Sequence, residues 1–426
     1  MLEVSDNYKY FAQRCVRHPI LDVQFGFNRQ GGYNDLESIK CDLMRAEWVS
    51  QADSPIASIV KSYADVTVVN NDGKYYQYLD TSFANCDGEV IEEADTQDVR
   101  PGLKMRLYEG FSYPTPTSQT LCDHIKDYEL QFTGSSEKFP SYTTENSGNS
   151  LAQFHFTDNL QALLDSTADI DINYNGATVK DALQDWCTNQ FPSVMNVPDP
   201  GNILVGNYTL EAGKPFSDIL KYMIELNGGR FYQDVNGDYF YETNNYINNS
   251  VTIPDAILDT CNHVINTSTP SLDQIYNHIT VQQFTNPGGI EYVATDQTSI
   301  DSFGLRPLVV TNPLIPDLAA AQSIANRVLS FYSQSTYDRE IEIIGLGWLQ
   351  VYDKVILRER VKNQLCENCK CQTLYSEVIY RITKVYSVHD SDGFRQKLTL
   401  TRSPLILNRF TFCETPTCNS QIGVIC

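Results

Sequence analysis

Short runs that alternate apolar and polar residues, broken by glycine-containing turns, constrain this chain more than any other feature. Arg230–Val235 and Asp238–Glu242 flank Asn236-Gly237, a dipeptide that supplies the positive φ of a tight hairpin. Val66–Val69 and Tyr75–Leu79 flank Asn70-Asn71-Asp72-Gly73, and Asn277–Gln283 and Gly289–Ala294 flank Asn286-Pro287-Gly288. Successive side chains of a strand point to opposite faces, so such runs joined by tight turns build antiparallel sheet. Asp22–Phe27, Ile39–Val49 and Leu103–Leu107 extend the pattern through the first ~115 residues, which read as a barrel or sandwich. Arg339–Ile344, Trp348–Leu357, Glu377–Val388 and Phe394–Thr401 repeat it near the end. Twenty-six Tyr against three Trp lean the same way.

Helical spacing is confined to the middle and to one later segment. Thr178-x-x-Asp181 resembles a capping box and opens a helix over 179–190, with Val179, Ala182, Leu183, Trp186 and Cys187 on one face. A second helix runs over 215–227, from Pro215 through Phe216, Ile219, Leu220, Met223 and Ile224, and Asn227-Gly228-Gly229 stops it. Asp317 caps a third over 317–334. Ser112–Ser118 and Gly134–Ser150 have linker composition, so residues 112–150 read as a boundary and surface loop, with Tyr128–Phe132 as one more strand. The expected class is therefore α+β, mostly β. Its divisions are an N-terminal β domain (1–115), an α+β region (116–270, hairpin 230–242), a second β domain with one helix (271–410) and a cysteine-containing tail (411–426) that packs with the 366–371 loop.

The 426 residues suffice for about three domains. Lys+Arg number 31 and Asp+Glu 53, a formal charge of −22, which repels phosphate and opposes sequence-specific nucleic-acid binding. No apolar run approaches the ~18 residues of a membrane span. Met1-Leu2-Glu3-Val4-Ser5-Asp6 carries no export signal, which predicts synthesis in the cytoplasm. Phosphate loops, a Gly-x-Ser-x-Gly elbow and a His-Glu-x-x-His helix are all missing, and the six histidines lie far apart. No catalytic residue is assigned. Asp234-Val235-Asn236-Gly237-Asp238 with Glu242 has the wrong Gly and Glu spacing for a calcium loop and reads as a hairpin.

Cysteine is distributed unevenly. Cys15, Cys41, Cys86, Cys122, Cys187 and Cys261 stand singly and read as buried thiols. The other six crowd the last 61 residues: Cys366-x-x-Cys369-x-Cys371 and Cys413-x4-Cys418-x7-Cys426. Thiolates at such spacing converge on one ion without straining the backbone, and sulfur selects zinc or an iron–sulfur cluster. Four of the six are expected as ligands. Disulfides are the alternative, disfavoured in a reducing cytoplasm.

The order of modules resembles the baseplate hub and tail-tip proteins of tailed bacteriophages and related phage-tail-like particles. Val4-Ser5-Asp6-Asn7-Tyr8-Lys9 opens the N-terminal β domain. Gly213-Lys214-Pro215-Phe216-Ser217-Asp218-Ile219-Leu220 is followed by the segment from Leu226 through Gly237. Asn277-His278-Ile279-Thr280-Val281, Ser299–Gly304 and the helix from Asp317 complete the likeness. The resemblance implies two similar tube-like barrels with the helical part inserted between them. It also implies a homotrimer that adapts a sixfold tail tube to a threefold spike or fibre. Implied partners are further copies of the chain, the tail tube or distal tail protein, the central spike or fibre and baseplate wedge proteins. The implied location is the tail end of the virion, assembled in the host bacterial cytoplasm. An acidic lumen suits a DNA conduit, because it does not hold passing DNA. Some relatives of that type hold an iron–sulfur cluster through C-terminal cysteines. The alternative is a receptor-binding or fibre-attachment protein, which Tyr and Asn suit by stacking on sugars and bonding their hydroxyls. A tail-borne cell-wall hydrolase is disfavoured by the missing catalytic motifs.

Overall fold

A computed structural model describes residues 2–12, 18–27, 33, 35–54, 56–71, 74–75, 99, 101–114, 124–144, 150–186, 195–196, 205–206, 208–243, 255–258, 263–271, 275–284, 289–333, 336–365, 371–402 and 409–413. Strand dominates them, as the alternation predicts. Eighteen strands join one sheet, whose pairings branch from strand to strand and never return to one already visited. The tube-like barrels are accordingly not seen: no ring of strands closes among the described residues.

Two meanders carry most of that sheet. In the first, Pro19–Gly26 pairs with Lys104–Pro114, which pairs with His124–Ser136, and Ser150–Thr157 joins Ala57–Val69. The described residues of 112–150 are thus largely sheet rather than linker: the polar positions of 124–136 and 141–144 lie in strands whose backbone groups are paired, while 115–123 and 145–149 lie outside the described residues. In the second, Lys354–Leu365, Cys371–Asp390, Gly393–Arg402 and Thr336–Ile344 pair antiparallel in that order. The bridge between the two is Leu43–Ala52, which pairs with Ala57–Val69 on one side and Cys371–Asp390 on the other.

The hydrophobic cores follow other limits than 115 and 270. One holds residues from Leu21 to Phe156 together with Phe394. A second runs from Leu160 to Ala325 and contains the inserted helices, the Leu318–Tyr332 helix and the inner face of a separate three-stranded sheet of His278–Gln282, Glu291–Thr295 and Pro307–Thr311. The third joins Tyr8, Ala12 and Phe111 to residues from Ile341 to Leu400. Tyr8 crosses from the N-terminal helix Asp6–Ala12 to pack at a tilt against Phe111, ring centroids 5.0 Å apart, and its hydroxyl donates to the buried Glu109 carboxylate.

Local signals are realised with adjustments. Thr178 caps Val179–Asp185: its Oγ1 accepts from the Asp181 N–H at 3.0 Å and donates to the Asp181 carboxylate at 2.7 Å. Trp186 follows that helix directly, and residues 187–190 of the expected span lie outside the described ones. Ser217–Asn227 ends at Gly228 and Gly229, both at positive φ. A Cβ on Gly229 would sit 1.9 Å from the Glu242 carbonyl oxygen, so the helix-to-strand junction requires glycine there. Asp317 caps Leu318–Tyr332, accepting from the Ala320 N–H at 2.8 Å.

The Asn-Gly hairpin differs by one residue from the expected two-residue turn. The Asp234 carbonyl accepts from the Gly237 N–H at 3.2 Å, and the Asp234 N–H donates to the Asp238 carbonyl at 2.8 Å, closing a three-residue loop. The Asp234 carboxylate stabilises this longer form by accepting from the Asn236 and Asp238 backbone N–H groups. Gly237 has φ +101°, and a Cβ there would meet only ordinary contacts, with the Gln233 side chain at 3.8 Å and the Thr133 methyl at 3.9 Å. Gly237→Val is therefore expected to cost about 2 kcal/mol from backbone strain alone, read as a lowered unfolding midpoint with the native spectrum retained.

Candidate functional site

The cysteine pattern is the sequence's own candidate, and the sheet brings two of its six positions near one another. Cys371 begins the long strand Cys371–Asp390, and Cys413 ends Arg409–Cys413, which pairs antiparallel with it. Cys413 lies opposite Thr373, two residues from Cys371. Cys366, Cys369, Cys418 and Cys426 lie outside the described residues. Among the described residues, no group of three or more His, Cys, Asp or Glu converges as a metal site. Cys41, expected buried, is an exposed thiol. The strand begins only at Leu43, and Cys41 rides in the preceding turn, where the Asp42 N–H bonds to the Ile39 carbonyl at 3.0 Å. Cys15, Cys86, Cys122, Cys187 and Cys261 lie outside the described residues.

A cavity of about 70 Å³, unmarked by any motif, sits where the 230–242 hairpin meets the two meanders, and its apolar lining comes from two of the three cores. Phe132 comes from the first meander, Trp48 from the bridging strand, Arg230 and Tyr232–Val235 from the inserted hairpin, Gly347 and Leu349–Val351 from the connection between Thr336–Ile344 and Lys354–Leu365, and Gln396 from the second meander. Its volume holds a few waters, and its lining is mixed polar and apolar. Asp158 is 6% exposed and accepts from the Ser62 N–H at 2.7 Å. Burial disfavours its ionised form and pushes its carboxyl up to about 7. Across the cavity, Arg230 Nε donates to the Glu242 carboxylate at 2.6 Å, and its Nη1 to the Val351 carbonyl. The guanidinium lies 4.5 Å from the centre of the Tyr232 ring, whose hydroxyl donates to the same carboxylate at 3.1 Å.

These contacts clamp the molecule together. Gln233 accepts from the Asn159 N–H at 2.6 Å and donates to the Thr133 carbonyl at 3.2 Å. Thr133 Oγ1 donates to the Val235 carbonyl at 2.5 Å, and the Tyr239 hydroxyl to the Asn159 carbonyl at 3.0 Å. Arg230–Tyr232 also lies parallel to Ser58–Val60 of the first meander. Every polar group named here holds one part of the chain to another, so the arrangement acts as a rigid joint. Of the histidines, His389 is kept neutral, its ring pushed down to about 4 by burial beside Phe394. His155 bonds Asp65 at 2.8 Å on the surface.

Sequence reading missed this joint for a definable reason. A two-residue turn at 236–237 would place Arg230 opposite Thr243, whereas the three-residue loop places it opposite Glu242. One residue of register decides whether the arginine meets its carboxylate. Asp158 carries no local signal at all.

No protein-family model matches the chain, and no curated protein sequence does. Solved structures do match. A tail protein from Neisseria meningitidis MC58 superposes with a TM-score of 0.58 at 15% identity, covering 91% of this chain and 97% of that one. The 43 kDa tail protein of prophage MuSo2 from Shewanella oneidensis superposes with a TM-score of 0.57 at 13% identity, covering 91% and 98%. The chain has the fold of these tail proteins. Because the likeness spans nearly the full length of both, the tail-protein fold takes in both meanders and the helical insertion. Among the described residues, no helix of this tail-protein fold is long and apolar enough to cross a membrane.

Proposed function

We propose that the chain is a structural virion protein, a homotrimeric hub or tail-tip protein that adapts the tail tube to a threefold spike or fibre and lines part of the DNA path. The near full-length match to two tail proteins carries this reading. Charge supports it: at −22, a lumen built from this chain repels passing DNA. The cavity joint supports it too, since a hairpin tied to both meanders by buried hydrogen bonds suits a load-bearing part. The partners on this reading are two further copies, the tail tube or distal tail protein, the spike or fibre and wedge proteins. No catalytic role is assigned, and zymography on host cell walls tests that directly. Light scattering of the purified chain is expected to give a trimer, and immunogold micrographs to label the tail end of particles. A monomer in solution together with unlabelled tail ends would overturn the reading.

The C-terminal cysteines are proposed to hold one zinc ion or iron–sulfur cluster. The register that sets Cys413 two residues from Cys371 supports convergence, and thiolate donors fit either metal. Anaerobically purified protein is expected to contain iron or zinc near one site per chain. Chelation is then expected to lower the unfolding midpoint, because structural metal supplies folding energy. Protein lacking both metals, with its thiols oxidised, would leave disulfides in their place.

A further inference from the structure

The three-stranded sheet of His278–Gln282, Glu291–Thr295 and Pro307–Thr311 buries only one of its faces. Ile279, Val281 and Ala294 are buried on the inner face, in the core that holds the Leu318–Tyr332 helix. Alternate residues point the other way, and the row Val293, Thr280, Val309 crosses that outer face. Val293 is 41% exposed, Val309 56%, and Leu305, two residues before Pro307, 62%. Across all outer positions of the three strands, Glu291 is the only Asp, Glu, Lys or Arg.

Both edges of this sheet are open as well. The Gln283 N–H donates to the Ile290 carbonyl at 2.8 Å, and the Asp296 N–H to the Asn277 carbonyl at 3.0 Å, which fixes the phase of that ladder. Tyr292 and Ala294 therefore bond the central strand, and the backbone groups of Glu291, Val293 and Thr295 point away from it. On the other side, the His278 N–H donates to the Arg306 carbonyl at 3.3 Å and the Asn312 N–H to the Gln282 carbonyl at 3.0 Å. Leu308 and Val310 bond inward there, while Val309 and Thr311 point outward. Among the described residues neither edge pairs with a further strand. Neither register contains a bulge and neither edge strand a lysine, the usual guards against pairing, and Pro307 blunts only the first position of one edge.

We propose that this sheet pairs edge to edge with the same sheet of a second copy of the chain, Glu291–Thr295 of one against Pro307–Thr311 of the next. The two edges match in length, five residues each, and differ in direction: the first runs against the central strand and the second runs with it. Copies in the same orientation therefore meet as an antiparallel ladder, the more stable kind, with every outer face on one side. Full overlap sets Val293, the centre of one edge, opposite Val309, the centre of the other, a β-branched pair of the sort that stabilises neighbouring strands. Charge favours the same place. At −22, copies repel one another over most of their surface, and a face with one carboxylate minimises that repulsion. A contact between two different edges is heterologous and forms a ring when the rotation closes. The proposal rests on the trimer reading above and names the contact that closes it.

Sedimentation of the full-length chain tests it. Val293→Lys with Val309→Lys is expected to weaken self-association on the order of tenfold or more, because each lysine guards an open edge. Circular dichroism is expected to stay unchanged, since both side chains are exposed and neither residue's backbone groups serve the sheet's own ladder. Co-expressed Val293→Cys and Val309→Cys chains are expected to join through a short thiol cross-linker above the parent's background, and neither variant alone. Cross-linking of Val293→Cys by itself would show a twofold contact and overturn the ring arrangement. A folded double-lysine variant that assembles like the parent would overturn the edge contact and leave the trimer standing. A parent chain that is monomeric throughout would overturn the trimer itself. A parent that assembles only with a purified tube or spike protein, and loses that assembly in the lysine variant, would give the edge to that protein and overturn self-pairing.

Discussion

Trp186→Ala is expected to destabilise the inserted unit by ~3–5 kcal/mol, the loss typical of truncating a large core aromatic. Trp186 is fully buried, immediately after the Val179–Asp185 helix. Its ring stacks on Phe216, centroids 4.4 Å apart and planes within 6°. Its indole N–H donates to Ser166 Oγ at 3.0 Å, and the Ser166 carbonyl accepts from the Phe216 N–H at 2.9 Å. Alanine leaves a cavity, unstacks Phe216 and strands a hydroxyl acceptor. Trp186→Phe keeps a ring to stack and loses the hydrogen bond and part of the indole volume, so its loss is expected to be smaller, ~1–3 kcal/mol. Chemical unfolding of both variants checks the ordering. Equal midpoints for the alanine variant and the parent would show that Trp186 does not hold this core.

Asp158 is expected to make stability fall as pH rises from 4 to 8. Its carboxyl has a raised folded-state pKa of about 7 against 3.8 in the unfolded chain, so folding favours the protonated form. The stabilising contribution is complete below about pH 4 and is lost as pH rises through about 7. Three pKa units set a ceiling of about 4 kcal/mol, and ~2–4 kcal/mol is the expected span. Asp158→Asn keeps an oxygen for the Ser62 N–H and has no charge to bury. Its stability relative to the parent should therefore climb across that interval. Lys61 favours the ionised carboxylate and Glu137 opposes it, so both are kept in the comparison. Parallel pH profiles for parent and variant would contradict the assignment.

Helices, caps and hairpins were legible because each is decided within a few residues. Thr178 and Asp317 each need only a donor three positions on, and Gly237 needs only its own φ. Over 124–144 the linker expectation failed because Ser, Thr and Asn are read there without their partners: His124–Ser136 is held by Lys104–Pro114, not by its own composition. The candidate metal positions were legible as a pattern of spacing, and the register of Cys413 against Thr373 is what relates their two halves.

By itself the sequence determined the mostly β class, the places where the chain turns or caps, the acidic surface and the two clusters of thiols. All of these depend on short-range sterics or on composition. Only the tertiary structure decided that Leu43–Ala52 pairs with a strand more than 300 residues away, that the sheet of the described residues branches, and that Asp158 is buried at the cavity between the hairpin and the two meanders. Those outcomes balance loop-closure entropy against burial over the whole chain, and no window of neighbouring residues contains both sides of that balance.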